Sequence, residues 1–167
     1  REPRQKMINI MYLVLTAILA LNVSAEILEA FKTVDKSLIN STISINKSND
    51  VLYKSLADKL SDPQSAEKAK VWQPRAVMAQ DLSNKMNSYI DQLKMDLKKG
   101  ADLTMKEKDG KQVEDFKEDN LDASTRIFET NGEGKKLEQA LLEYKKNVLG
   151  IDKEIDAKFS KNFPVDL

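Results

Sequence analysis

The residues best placed to do chemistry are the basic and polar side chains near the start of the chain. Arg4 and Lys6 precede a stretch in which no charged residue occurs until Glu26. The polar residues singled out within that stretch are two asparagines, a tyrosine and a threonine: Asn9, Tyr12, Thr16 and Asn22. On a helix, spacings of three and four place Asn9, Tyr12 and Thr16 on one face. Arg4, eight residues before Tyr12, is expected close to the same stripe.

Arg4 is the candidate for a specific ionic contact. A cation in the first turn of a helix faces the positive end of the helix macrodipole, which is mildly unfavourable. Near a bilayer it is better satisfied by a carboxylate on another membrane helix. The uncharged stretch holds no Asp or Glu, so a proton-carrying acid would have to belong to a partner. The ordinary alternative is that Tyr12 is an interfacial aromatic, Thr16 bonds its own helix, and Arg4 meets lipid phosphates.

The element that positions these residues is a predicted transmembrane helix from Met7 to Ala25. At ~1.5 Å of rise per residue it is about 28 Å long, close to the ~30 Å of a hydrocarbon core. Pro3 suits the first helical position, where its missing N–H costs nothing. The basic flank predicts a cytoplasmic N-terminus and an exported remainder. We therefore predict residues 1–25 as a short cytoplasmic segment plus a single span.

A cleaved signal peptide is the alternative to a retained anchor. A basic start, an apolar middle and Val23-Ser24-Ala25 resemble its three parts. The apolar stretch is longer than a typical signal peptide core, however, and its pattern continues through Ile27 and Phe31 without a helix breaker. These features favour one helix that crosses the membrane and continues beyond it.

The composition is typical of a scaffold rather than of an enzyme. The 27 basic and 27 acidic residues balance, which does not indicate nucleic acid as a partner. The absence of Cys and His removes disulfides, thiolates and the commonest general base and metal ligand. The acids between 102 and 115 do not have the spacing of a calcium loop, and Gly132 to Lys135 lacks the full phosphate-loop pattern. We expect no enzyme activity, no cofactor and no metal.

Apolar spacing predicts an all-α fold for residues 26–167, in which the transmembrane helix continues into a periplasmic four-helix bundle. The first helix runs to about Leu60, and its apolar spacing is interrupted by a polar stretch at Asn40 to Asp50. That stretch is either a register-setting polar layer or a solvated, slightly bent segment. Asp62-Pro63 ends the helix.

The remaining elements are predicted from punctuating residues and apolar stripes. Ser61 to Gln73 is a connector, and the second helix runs from Pro74 to Lys99 with Gly100 as its stop. Ala101 to Asn131 is expected to be a charged surface loop with one short helical turn and a tight turn at Asp109-Gly110. The third helix is Glu133 to Leu149. Asp152 caps a short fourth helix, in which Ile155 and Phe159 point inward.

The N-terminal stretch PRQKMINIMYLVLTAILALNVSAEILEAF resembles the signature of the GldM/PorM family, the single-span inner-membrane subunit of the type IX secretion and gliding motor. The close match covers Pro3 to Phe31, and the helical region behind it matches loosely. The resemblance implies a homodimer whose two helices stand inside a ring of five GldL-type subunits powered by proton flow. It also implies that Arg4 and Tyr12 face the ring's acidic residue. Related stators carry an Asp in their single-span subunit, and this span has none.

The same resemblance implies further β-rich domains downstream, which would reach outer-membrane and periplasmic secretion components. The chain begins without methionine and ends at Leu167, so we expect the front part of a longer protein. Two functions stay open on the residues alone. One is a motor subunit that transmits motion across the periplasm, and the other is a membrane-anchored sensor or adaptor without energy coupling.

Overall fold

The computed structural model describes residues 3–165, with the side chains of residues 20–25 excepted. The chain divides into two compact units, Arg1–Leu52 and Tyr53–Leu167. Most of the described residues are helical, which confirms the predicted class in its coarse form.

A single long helix makes up the first unit. Helix α1 runs from Pro3 to Asp58, which corresponds to about 84 Å at 1.5 Å per residue. No Gly or Pro occurs between Pro3 and Pro63, so nothing in the sequence forces a break. The polar stretch at 40–50 stays helical, and Thr42 donates its hydroxyl to the carbonyl of Leu38 at 2.9 Å. The predicted uninterrupted helix to about residue 60 is confirmed.

The turn after α1 is built on Asp62. Its carboxylate accepts the backbone N–H of Gln64 at 3.1 Å and the hydroxyl of Ser65 at 2.8 Å. These hydrogen bonds, that from Ser65 first, hold the pKa of Asp62 below its ordinary value. The predicted stop at Asp62-Pro63 is therefore correct.

The second helix begins earlier than expected. Helix α2 spans Ala66–Gly100 and contains Pro74 in its interior, so the expected connector over Ser61 to Gln73 was too long. Pro74 is exposed, as is Lys70, whose carbonyl loses its amide partner. The preceding run AEKAKVWQ is rich in good helix formers, which offsets the proline. The predicted stop at Gly100 is confirmed.

The second unit is centred on an antiparallel pair of helices, α2 and α4. Helix α4 spans Glu133–Leu149, the predicted bounds, and Gly150 caps it. Ser83 on α2 hydrogen-bonds to Tyr144 on α4, and Tyr89 on α2 hydrogen-bonds to Glu133 on α4. The two helices therefore run in opposite directions. The buried side chains are few and mostly small: Ala69, Leu93, Ala101, Ala123 and Ile127.

Residues 101–131 contain regular structure, and the prediction of a surface loop was wrong. Strands β1 (Thr104–Lys108) and β2 (Lys111–Asp115) form an antiparallel hairpin. Its turn residues have positive φ angles, 53° at Asp109 and 71° at Gly110, as a type I′ turn requires. Helix α3 (Leu121–Thr125) and a π-helix (Arg126–Thr130) follow. The turn at Asp109-Gly110 and the presence of one short helical turn, here α3, were predicted correctly.

The C-terminal end is a short helix, α5, over Lys153–Phe159. Asp152 caps it as predicted, because its side chain accepts the N–H of Glu154 at 2.8 Å. Ile155 is half-buried, but Phe159 is exposed, so its inward orientation was wrong. Unit 2 thus has one long helix pair with short helices and a hairpin beside it, which differs from the expected four-helix bundle.

Candidate functional site

The N-terminal part of α1 exposes apolar side chains on all its sides. Every described side chain from Pro3 to Leu19 is exposed, and Leu13 reaches 73%. Seven residues with mainly apolar side chains line one surface groove of this segment: Ile8, Ile10, Met11, Tyr12, Val14, Leu15 and Ile18. A helix that is apolar all round is typical of a segment surrounded by other helices or by lipid.

A second, more polar groove contains three of the predicted site residues. Asn9, Tyr12 and Thr16 line it together with Leu13 and Ala17, so the predicted common face exists. Thr16 donates its hydroxyl to the carbonyl of Tyr12 at 2.7 Å. This is the bond within the helix that the ordinary alternative expected, and it leaves the Asn9 amide and the Tyr12 phenol as the groups available on this face.

Arg4 does not line this groove and lies further from the common face than the sequence spacing suggested. It is exposed in the first turn of α1. Eight residues separate it from Tyr12, which on a regular helix is about 12 Å along the axis and about 80° around it. A single partner helix packed along Tyr12 would therefore contact Arg4 only with the side chains at the edge of their interface. Asn22 lies outside the residues whose side chains are described, as does the last part of the predicted span, residues 20–25.

None of the described helical segments has the length and hydropathy that a bilayer span requires.

The rest of α1 continues the exposed apolar pattern. Beyond the predicted span, the exposed apolar positions with spacings of three, four and seven are Ile27, Phe31, Val34, Leu38, Ile45 and Leu52. In the described part of unit 1 no side chain is buried. These six positions have the spacing of residues at the contact between two coiled-coil helices, which indicates a surface for another helix.

In unit 2, polar contacts fasten α4 and α5 to α2. Arg75 pairs with Asp152 at 2.7 Å and also lies 4.9 Å from the centre of the Trp72 ring. Trp72 is only half-buried, so it packs less deeply than a core tryptophan. The contact joins the start of α2 to the N-cap of α5.

Near the other end of the helix pair, Tyr89 donates to Glu133 at 3.3 Å and Lys136 pairs with Glu133 at 2.6 Å. Burial raises the pKa of Tyr89, and the charge of Glu133 adds to this. The hydrogen bond from Lys136 lowers the pKa of Glu133 and raises that of Lys136. All three pKa shifts are explained by the hydrogen bonds and partial burial that hold α2 and α4 together.

Three of the five acids between 102 and 115 are used in ion pairs. Asp102 pairs with Lys117, Glu114 with Lys98, and Asp115 with Lys106. Among the described residues no group of acidic side chains has the geometry of a metal site. Gly132, at φ 72°, starts α4, which agrees with the interpretation of Gly132 to Lys135 as a helix start.

The hairpin is the feature that the sequence interpretation missed. The sequence did contain one signal for a hairpin, the dipeptide Asp109-Gly110 between two five-residue segments. Asp-Gly is a preferred two-residue hairpin turn. The segments TMKEK and KQVED carry too many charged residues to look like strands.

One comparison with known proteins gives a match. The GldM N-terminal domain matches residues 26–166. No curated protein and no solved structure matches the chain.

Proposed function

This chain belongs to the GldM family of the gliding-motility and type IX secretion machinery, and we propose that it is the single-span subunit of a membrane motor driven by the proton motive force. In this proposal residues 7–25 anchor the chain in the inner membrane, with the N-terminus in the cytoplasm and residues 26–167 in the periplasm. Two copies stand inside a ring of GldL-type subunits, five in number. The downstream part of the protein passes motion to the secretion components of the outer membrane.

The observation that carries the proposal is the continuity of α1. One helix begins at Pro3 and ends at Asp58, so a force applied near its N-terminus is applied to an element that reaches unit 2. The uncharged run up to Glu26 and the exposed apolar side chains of its described part support the anchor. They also supply the surface on which ring helices would pack.

The site residues have distinct roles in this proposal. Arg4 pairs with an acidic residue of the ring when that residue is ionised, and loses the pairing when it takes up a proton. Tyr12 and Asn9 offer hydrogen-bonding groups on the face that meets a ring helix, Thr16 supports that face, and Asn22 lies further along the span. Alternating attraction and release at Arg4 would bias the position of the helix pair relative to the ring.

The test is Arg4→Ala in the full-length protein, with Arg4→Lys as the matched control. We expect R4A to abolish gliding and type IX secretion while membrane insertion and co-purification with ring subunits are retained. R4K keeps the charge and should keep part of both activities. Normal gliding and secretion in R4A would refute the motor role and favour the anchored adaptor.

A further inference from the structure

The β1–β2 hairpin has no part in the proposed motor. All ten of its strand residues are exposed, and a two-stranded hairpin that buries so little is marginal in water. It is held at its base, where Thr104 donates its hydroxyl to the carbonyl of Asp115 at 3.3 Å and Lys117 donates its N–H to the carbonyl of Ala101 at 2.8 Å. The hairpin end beyond this base is presented to solvent.

The two faces of the hairpin differ in charge. The register pairs Lys106 with Val113 and Lys108 with Lys111, so all three lysines lie on one face because directly opposed residues point to the same side. On the other face Glu114 pairs with Lys98 of α2 at 2.5 Å, which directs that face toward the end of α2. We call the side that carries Lys106, Lys108 and Lys111 the basic face.

The basic face costs the hairpin stability. Like charges directly opposite each other are destabilising, and Lys108 and Lys111 are such a pair. Lys106 has Asp115 as an ion-pair partner at 2.6 Å, whereas Lys108 and Lys111 have none among the described residues. Lysines do protect exposed edges from aggregation. A lysine opposite a glutamate would protect equally without the repulsion, so edge protection does not explain this pair.

The outer edge of β1 is free to pair. In an antiparallel hairpin with a two-residue turn the closing pair is hydrogen-bonded and the next pair is not. The backbone N–H and C=O groups of Met105 and Glu107 therefore point outward from β1. Among the described residues no backbone hydrogen bond from another element reaches them. Strand β1 also carries two of the three lysines of the basic face.

We propose that the β1 edge docks an extended, carboxylate-rich segment of a protein partner, which adds as a third strand. The backbone of the segment pairs with Met105 and Glu107, and its acidic side chains alternate onto the basic face. There they pair with Lys108 and Lys111, next to the Lys106–Asp115 ion pair, and remove the repulsion between these two lysines. Strand addition to a free edge is a general mode of peptide recognition. This docking site is independent of the motor role, and either proposal can fail without the other.

The probe is a fluorescently labelled peptide of alternating Glu and Val residues, titrated with the full chain in mild detergent and followed by anisotropy. We expect saturable binding that weakens as salt rises, since surface ion pairs are screened. A peptide of the same charge with Pro in place of Val cannot pair as a strand, and it should not bind. Equal binding of both peptides, or binding of neither, would overturn strand addition.

Two pairs of variants locate the site. Lys108→Glu with Lys111→Glu should weaken binding at least about fivefold, the effect of losing two surface ion pairs. The control, Lys135→Glu with Lys158→Glu, changes the net charge equally on α4 and α5 and should leave binding unchanged. Equal loss in both double variants would mean that only net charge matters, and the site would be wrong.

Proline on each edge separates the two strands. Glu107→Pro removes an outward N–H of β1 without removing a bond of the hairpin ladder, and it also removes a negative charge. It should nevertheless abolish binding, whereas Gln112→Pro on the β2 edge should not. Slow amide exchange at Lys106 and Val113 would verify that both variants keep the hairpin. Unchanged binding in E107P would refute the β1 edge. A different outcome would assign the basic face to a membrane surface. In that case the peptide does not bind, the chain binds vesicles that contain anionic lipid, and the lysine variants lose this vesicle binding.

Discussion

The two units of this chain place their apolar side chains in opposite ways. In unit 1 large apolar residues such as Leu13 and Leu38 are exposed, and no described side chain is buried. Unit 2 has a small core around Leu93 and Ile127 and is joined by polar contacts between α2, α4 and α5. Unit 2 therefore buries some of its apolar residues within the chain, although others, such as Leu121, stay exposed. The described part of unit 1 buries none of its apolar side chains within the chain.

The contrast predicts the largest effects for a matched pair of leucine substitutions. Leu93 is 5% exposed and Leu38 is 61% exposed. Leu93→Ala should lower the free energy of unfolding of unit 2 by about 2–5 kcal/mol, through lost burial and a residual cavity. Leu38→Ala should leave it unchanged. Urea unfolding followed by the fluorescence of Trp72, the single tryptophan, reports on unit 2.

Leu38→Ala should act instead on association, since Leu38 lies at seam spacing on α1. This effect is measured as the number of copies of the chain per complex in mild detergent, which should fall in L38A. If L38A destabilised unit 2 as much as L93A does, the division of roles between the units would be wrong.

A smaller effect is expected at the contact between α2 and α5. Asp152 both caps α5 and pairs with Arg75. Asp152→Ala should cost about 1–2 kcal/mol, the range for loss of an N-cap. Asp152→Asn keeps a capping oxygen and loses only the charge, so it should cost less. The Trp72 urea transition measures both, and an equal cost for D152A and D152N would show that the ion pair, not the cap, is responsible.

The smallest effect is a pH dependence of unit 2. The lowered pKa of Glu133 means that its contribution is complete above the unfolded value of ~4.3 and is lost as the pH falls through the folded value. The raised pKa of Lys136 means that its contribution is complete below ~10.4 and is lost as the pH rises further. Stability should therefore be highest between these limits.

Glu133→Gln tests this dependence. The variant should show a shallower loss of stability between pH 5 and pH 3 than the parent chain, in roughly that range of Glu titration, with the urea midpoint as the measure. Asp62 and Asp102, whose pKa values are also lowered by hydrogen bonds, should leave a residual acid dependence. Parallel curves for E133Q and the parent chain would contradict the role of Glu133.

The sequence predicted the elements whose boundaries are set by local chemistry. The bounds of α4 follow from Gly132 and Gly150, and the cap of α5 follows from Asp152, because each acts on its nearest neighbours. Pro74 was misleading, since whether a proline starts a helix or lies inside it depends on the residues before it. The hairpin was missed because its strands bury nothing and so carry no apolar alternation.

For the candidate site, the sequence predicted the common face of Asn9, Tyr12 and Thr16 from helical spacing alone, and the structure shows that face. The hydrogen bond of Thr16 to the carbonyl of Tyr12 was one of two alternatives. The roles proposed for Arg4, Tyr12 and Asn22 concern partner helices, which no property of this chain alone determines.

The most direct test of the account is to interrupt α1 between the predicted span and unit 2. Ser44 is exposed within the polar stretch, so Ser44→Pro breaks the helix there at a cost of about 3 kcal/mol or more without touching the core of unit 2. Ser44→Ala is the control. If α1 transmits motion as one helix, S44P should stay in the membrane fraction and keep an unchanged Trp72 unfolding midpoint, yet lose gliding and secretion, while S44A retains both. Normal gliding and secretion in S44P would contradict the account.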